Sequence, residues 1–129
     1  MNSRILILED EQALAQMLMM HFEDEGHEVF HASNLQEARE LVPRHQPDLI
    51  LMDQGLPDGK GYELLCEFKA QDIDAIMVMM TAEHDLELAI AAIKAGAFDF
   101  IHKPIKTNQT TTPNKTEKIR RIPHQKMRL

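Results

Sequence analysis

The stretch Leu49-Ile50-Leu51-Met52-Asp53, followed at once by Gln54-Gly55-Leu56-Pro57-Asp58-Gly59, decides how this chain is read. Four apolar residues run straight into a carboxylate, and Pro and Gly close the run. A continuous apolar run of this length reads as a strand buried on both faces, which belongs in a parallel sheet. Open parallel sheets bind ligands at the carboxyl ends of their strands. Asp53 is therefore expected at the rim where chemistry occurs. An Asp before a Gly/Pro cluster also starts ordinary turns, so the other strand ends must decide between the two.

Working outward, Arg4-Ile5-Leu6-Ile7-Leu8 is a second strand-length aliphatic run, and it ends in Glu9-Asp10-Glu11. From Gln12 to Glu25 the period becomes helical, with Leu14, Met17, Leu18 and Phe22 on one stripe and Gly26 as the stop. His27 to His31 alternates like an edge strand. Ser33 or Asn34 caps a helix that turns Leu35, Ala38, Leu41 and Val42 inward, and Pro43 and Pro47 bracket the connection to the opening strand. Beyond Gly59, Tyr62, Leu65 and Phe68 mark a helix ending near Ala70. Ala75 to Met80 is another apolar strand and runs into Thr81. A helix from Asp85 to Ala95 carries the stripe Leu86, Ala89, Ile90 and Ile93 and stops at Gly96; Phe98 to His102 is a last strand, followed by Lys103-Pro104. Strict strand–helix alternation predicts an α/β fold, a doubly wound parallel sheet of five strands in the order 2-1-3-4-5. That order makes Glu9-Asp10 and Asp53 neighbours.

The totals agree with one soluble domain. The chain has 129 residues, 43% apolar and 27% charged, with nine Met, no Trp and one Cys. One cysteine excludes a disulfide framework and a Cys-rich metal site, and it fits the cytoplasm. Met1-Asn2-Ser3-Arg4 leads directly into a strand, so no signal peptide is expected, and no apolar run reaches the roughly 20 residues of a membrane span. Charge is uneven: residues 1–105 carry −13 and residues 106–129 carry +6. An acidic body argues against nucleic-acid binding by the body itself. The seven histidines show no ligand spacing, and the Met-rich helix and strand read as core filler.

The strand ends gather Glu9, Asp10, Asp53, Thr81 and Lys103. Converging carboxylates repel unless a cation compensates. With oxygen ligands only, Mg²⁺ is the expected ion, taking one or two carboxylates and keeping waters. Asp53 is then a candidate covalent nucleophile toward a phosphoryl group. Lys103 supplies a cation and Thr81 a hydroxyl for phosphoryl oxygens. Gly55 lets a backbone carbonyl approach the metal.

At this point the chain resembles the receiver domain of two-component response regulators over roughly residues 3–105. The pieces that carry the resemblance are Ile5-Leu6-Ile7-Leu8-Glu9-Asp10-Glu11, Asp53-Gln54-Gly55-Leu56-Pro57-Asp58-Gly59, Met80-Thr81-Ala82 and Gly96 through Lys103-Pro104. The resemblance implies a flavodoxin-like fold with Asp53 as phospho-acceptor. It further implies Asp10, Asp53 and the Gly55 carbonyl as Mg²⁺ ligands, with Glu9 acting through water. Lys103 and Thr81 bind the phosphoryl group, Phe100 occupies the aromatic switch position, and Pro104 follows a peptide that is often cis. The partner it implies is a sensor histidine kinase, and the response is a switch of the surface formed by the fourth helix and fifth strand. The stretch from Thr81 to Pro104 looks most like receivers of transcription activators that work with the alternative sigma factor.

Two other readings use the same residues. A phosphorylation-independent adaptor could keep the fold, against which the full acid, Asp, Thr and Lys set weighs. A haloacid-dehalogenase-type phosphatase would need a second Asp two residues after the nucleophile, where this chain has Gly55.

The resemblance stops after Ile105. Lys106 to Asn114 is Thr-rich with no apolar residue except Pro113, and Lys115 to Ile122 offers only Ile119 and Ile122 as anchors. The receiver is assigned to residues 1–105 and a basic, disordered or loosely docked tail to residues 106–129, with the fifth helix absent or degenerate. Apolar surface left on the strands and first helix is then expected to serve a homodimer or a downstream regulator domain. Nucleic acid enters only through that tail or through an output domain outside this chain.

Overall fold

The computed structural model describes residues 3–82 and 85–104. The tail, the fifth-helix question, His84 and His124 lie outside these described residues. Five strands form one parallel sheet: β1 (Arg4–Leu8), β2 (Glu28–Ala32), β3 (Leu49–Asp53), β6 (Ile76–Thr81) and β7 (Asp99–His102). Their order is β2-β1-β3-β6-β7, the expected topology. Helices α1 (Gln12–Asp24), α2 (Leu35–His45), α3 (Gly61–Ala70) and α4 (Leu86–Ala95) fill the crossovers. A short antiparallel hairpin, β4 (Gly55–Leu56) and β5 (Gly59–Lys60), was not foreseen. It folds the Pro57-Asp58 turn back beside the end of β3.

The apolar runs form the central strands because both of their faces are covered. Every residue of β3 and β6 is buried. Alternation splits the sheet into two cores. Ile5, Ile7, Leu49, Leu51, Val78, Met80 and Ile101 pack with Leu18 and Phe22 of α1. Leu6, Leu8, Ile50, Met52, Met77 and Met79 pack with Leu35, Ala38 and Val42 of α2, Leu64, Leu65 and Phe68 of α3, and Ala92 of α4. Register then brings the strand ends level, with Leu8 opposite Met52 and Asp53 opposite Met80.

Two expectations need correction. Pro43 does not lie in the connection; α2 runs through it to His45, and Gln46 ends the helix in the left-handed region at φ 50°. Pro43 stands in the last turn, so it removes one backbone bond there while buried Ala38 and Val42 hold the helix down. In α4 the inward face is Ala92, flanked by half-buried Leu88, Ala89 and Ala95, whereas Leu86 is 74% exposed and Ile90 and Ile93 are each 47% exposed. Small residues allow α4 to approach α3 and β7 closely, so the larger aliphatic side chains turn outward.

The caps agree with the sequence. Asn34 Oδ1 accepts from the Glu37 N–H at 2.8 Å, and Asp85 Oδ1 from the Leu88 N–H at 3.0 Å. Gly96, at φ 116°, closes α4 in a conformation that favours glycine.

Candidate functional site

Four strands deliver the predicted residues to one crevice. Glu9 follows β1, Asp53 ends β3, Thr81 ends β6 and Lys103 follows β7. Carboxylate oxygens of Glu9, Asp10 and Asp53 lie within 4.8 Å of one another. Glu9 and Asp53 are buried while Asp10 is exposed at the mouth. The Lys103 ammonium reaches between the buried pair, 2.9 Å from Glu9 Oε1 and 3.2 Å from Asp53 Oδ1. Thr81 is buried, and its carbonyl accepts the Lys103 N–H at 2.8 Å, which anchors the lysine's backbone to β6. The Lys103–Pro104 peptide is cis. Phe100 is half-buried opposite Met79, against the core on the α2–α4 side.

The electrostatics follow from three carboxylates facing one ammonium. Burial raises the Asp53 pKa, and the charge and hydrogen bond of Lys103 only partly offset it. Glu9 is raised in the same way, by burial first, with the Lys103 hydrogen bond and the Glu11 N–H pulling down. Burial opposes the charge on Lys103, yet the Glu9 hydrogen bond and the Asp53 and Glu9 charges outweigh it and raise its pKa. The cluster therefore carries an excess of negative charge that a cation would relieve.

Several residues that support the site were not singled out from the sequence. His31 Nε2 stands 2.8 Å from the Glu9 carbonyl, which can only accept, so Nε2 carries the proton. The Glu11 N–H reaches Glu9 Oε2 at 3.1 Å. Gly61 opens α3 against the Asp53 carbonyl oxygen, where a Cβ would collide with it. Gln54 is buried and bridges β3, β6 and α3. Asp58, at the tip of the β4–β5 hairpin, accepts from the Leu35 and Gln36 N–H groups at 2.8 and 3.1 Å, and the Leu35 bond leads in holding its pKa low. Sequence spacing carries no signal for these contacts, because each partner is a backbone group or lies many residues away. A groove of about 600 Å³ opens at the other end of the strands, between Val42, Pro47, Asp48 and Ile73, and includes none of the clustered carboxylates.

An open parallel sheet with acids, a threonine and a lysine at its carboxyl ends defines a class of phosphoryl-handling α/β domain. Residues 5–113 match the response regulator receiver domain, and the chain belongs to that family, the phospho-accepting switch module of two-component systems. It is 39% identical over 116 residues to the transcriptional regulatory protein DpiA of Escherichia coli K12, covering 84% of this chain and 50% of that protein. The chain spans about half the length of the curated relatives it matches, 45 and 50% of the first two. Among solved structures, the CheY-like receiver domain protein from Methanospirillum hungatei JF-1 superposes with a TM-score of 0.77 at 31% identity, over 82% of this chain and 85% of that one. A response regulator from Burkholderia pseudomallei, solved with a phosphorylated aspartic acid, a calcium ion and citrate, gives 0.75 at 26% identity, over 81% and 62%. Among the described residues no helix is long and apolar enough to cross a membrane.

Proposed function

We propose that Asp53 is the residue that accepts the phosphoryl group, and that a sensor histidine kinase is the donor. The observation that carries this reading is the position of Asp53: buried at the end of β3, within reach of two further carboxylates and paired with Lys103. A carboxylate oxygen of Asp53 attacks phosphorus, the P–N bond to the donor imidazole breaks, and an acyl phosphate forms. Lys103, already drawn to this carboxylate, offers its ammonium to the phosphoryl oxygens, and the Thr81 hydroxyl offers a further donor. Burial disfavours the ionised Asp53 that attack requires, so the neighbouring positive charge is what keeps it nucleophilic.

The donor set fits Mg²⁺: it consists of oxygens alone, and its negative charge exceeds that of Lys103. Asp10, Asp53 and the carbonyl of Gly55 would hold the ion, with Glu9 acting through water. When bound, it supplies charge neutralisation for the attacking and phosphoryl oxygens. The phosphorylated calcium-bearing relative supports this reading. In the same reading, movement of Thr81 toward the acyl phosphate is relayed to Phe100 and the α4–β7 surface, where a downstream domain or a second copy would respond.

Acetyl phosphate with Mg²⁺ should add one phosphoryl group to the protein, and Asp53→Asn should abolish the addition. Equal modification of both proteins by intact mass would remove Asp53 as the acceptor.

A further inference from the structure

Gln54 separates the two groups of the proposed site that must point the same way, the Asp53 carboxylate and the Gly55 carbonyl. Its backbone groups and its side-chain oxygen all bond at that junction. Its N–H donates to the Met80 carbonyl at 2.8 Å, which extends the β3–β6 ladder one residue past Asp53. Its carbonyl accepts from the Gly61 N–H at 2.9 Å, and its side-chain Oε1 from the Tyr62 N–H at 2.8 Å. Gly61 and Tyr62 are the first two residues of α3, whose opening N–H groups have no partner within the helix. One buried residue thus satisfies both.

The segment that this tie closes is rich in glycine. Gly55, Gly59 and Gly61 punctuate it, and glycine restrains its own dihedrals least. Gly55 is held from the far side by pairing with Lys60. On its near side Gln54 is the adjoining residue, and space around Gly55 is open, with nothing within 4 Å of where a Cβ would stand. Removing the Gln54 oxygen leaves the Tyr62 N–H facing an apolar group and loosens α3 from β3 at the point where Gly55 departs.

We infer that Gln54 is a positioning residue: its side-chain bond to the start of α3 sets the direction of the Gly55 carbonyl relative to Asp53, and so the affinity of the site for a divalent cation. This rests on the reading of Asp10, Asp53 and Gly55 as metal ligands. The test is calorimetric titration of Mg²⁺ into wild type, Asp10→Asn, Gln54→Met and Gln54→Glu, beside urea unfolding of each in chelator. Gln54→Met keeps the length and removes the acceptor, and should weaken Mg²⁺ binding by roughly 3- to 10-fold, the range of one lost buried hydrogen bond. Gln54→Glu keeps an oxygen for the Tyr62 N–H and should bind Mg²⁺ at least as tightly as wild type. Acetyl phosphate kinetics should mirror this, with a higher half-saturating Mg²⁺ for Gln54→Met and a rate at saturation changed by less than about twofold.

Lower stability of Gln54→Met with unchanged Mg²⁺ affinity overturns the inference and leaves a purely structural contact. Equal weakening in Gln54→Glu and Gln54→Met overturns it too, since the acceptor is then irrelevant. If Asp10→Asn loses Mg²⁺ and Gln54→Met does not, the inference alone falls; if wild type takes up no Mg²⁺, the metal reading falls and carries the inference with it. Should Gln54→Met not fold, Gln54→Asn, which withdraws the oxygen by one methylene, decides in the same way.

Discussion

Gly61 stands directly against the carbonyl of Asp53, so close that any Cβ at position 61 would overlap the oxygen. The neighbour is backbone of a fully buried strand and cannot yield as a flexible side chain could. Helix α3 can lie this close to the end of β3 because residue 61 has no side chain. Gly61→Ala must push α3 off β3, and overpacking of this kind costs about 1–3 kcal/mol. Urea unfolding should record that loss, and phosphorylation by acetyl phosphate should slow with it. A variant as stable and as fast as wild type would mean that α3 can shift without disturbing Asp53.

Lys103 is the cation recorded between Glu9 and Asp53, and all three side chains are largely buried, at 15, 1 and 7% exposure. Lys103→Met leaves two buried carboxylates uncompensated, and breaking such a pair costs about 3–5 kcal/mol. The loss should be greatest in chelator at neutral pH. Mg²⁺ should restore part of it, because a ligand bound only by the folded state stabilises that state. Paired urea titrations with and without Mg²⁺ measure both effects, and an unchanged midpoint in chelator would show that Lys103 carries no compensating role.

How far the sequence could be read divides along a physical line. Asp53, Asp10, Glu9, Thr81 and Lys103 were legible because strand-end position follows from period and length, and sheet order then brings the ends together. Gln54, His31, Gly61 and Asp58 were not, because each acts on a backbone group presented by another element. No pattern in a single chain marks such a partner. The hairpin at Gly55–Lys60 was missed because two-residue strands are too short to show a period.

Asp58 gives a pH-dependent prediction. Its carboxylate accepts the Leu35 and Gln36 N–H groups at the start of α2, and its pKa is depressed in the folded chain, led by the Leu35 bond. A depressed folded value means that the unfolded chain binds the proton more readily. The contribution is therefore complete above the unfolded value of about 3.9 and is lost as pH falls through the folded one. Asp58→Asn keeps one acceptor and loses the charge. Its melting temperature should lie below that of wild type at pH 6–7, with the gap closing in acid below about pH 4. A gap that stays constant to the lowest pH would show that the charge contributes nothing at the α2 terminus.

The orientation of α4 decides a last pair of substitutions. Hydrophobicity alone turns Leu86, Ile90 and Ile93 inward, yet these side chains are exposed and Ala92 is the one fully buried. The two orientations make opposite predictions at positions two residues apart. With Ala92 packed among Leu64, Leu65 and Phe68, Ala92→Leu inserts three carbons into a filled core and should cost about 1–3 kcal/mol. Ile90→Lys places a charge in solvent and should change stability by no more than about 0.5 kcal/mol. Urea midpoints of the two variants separate the orientations directly. A severe loss in Ile90→Lys together with a neutral Ala92→Leu would rotate the helix back, and the small residues that now face α3 and β7 would become its outer surface.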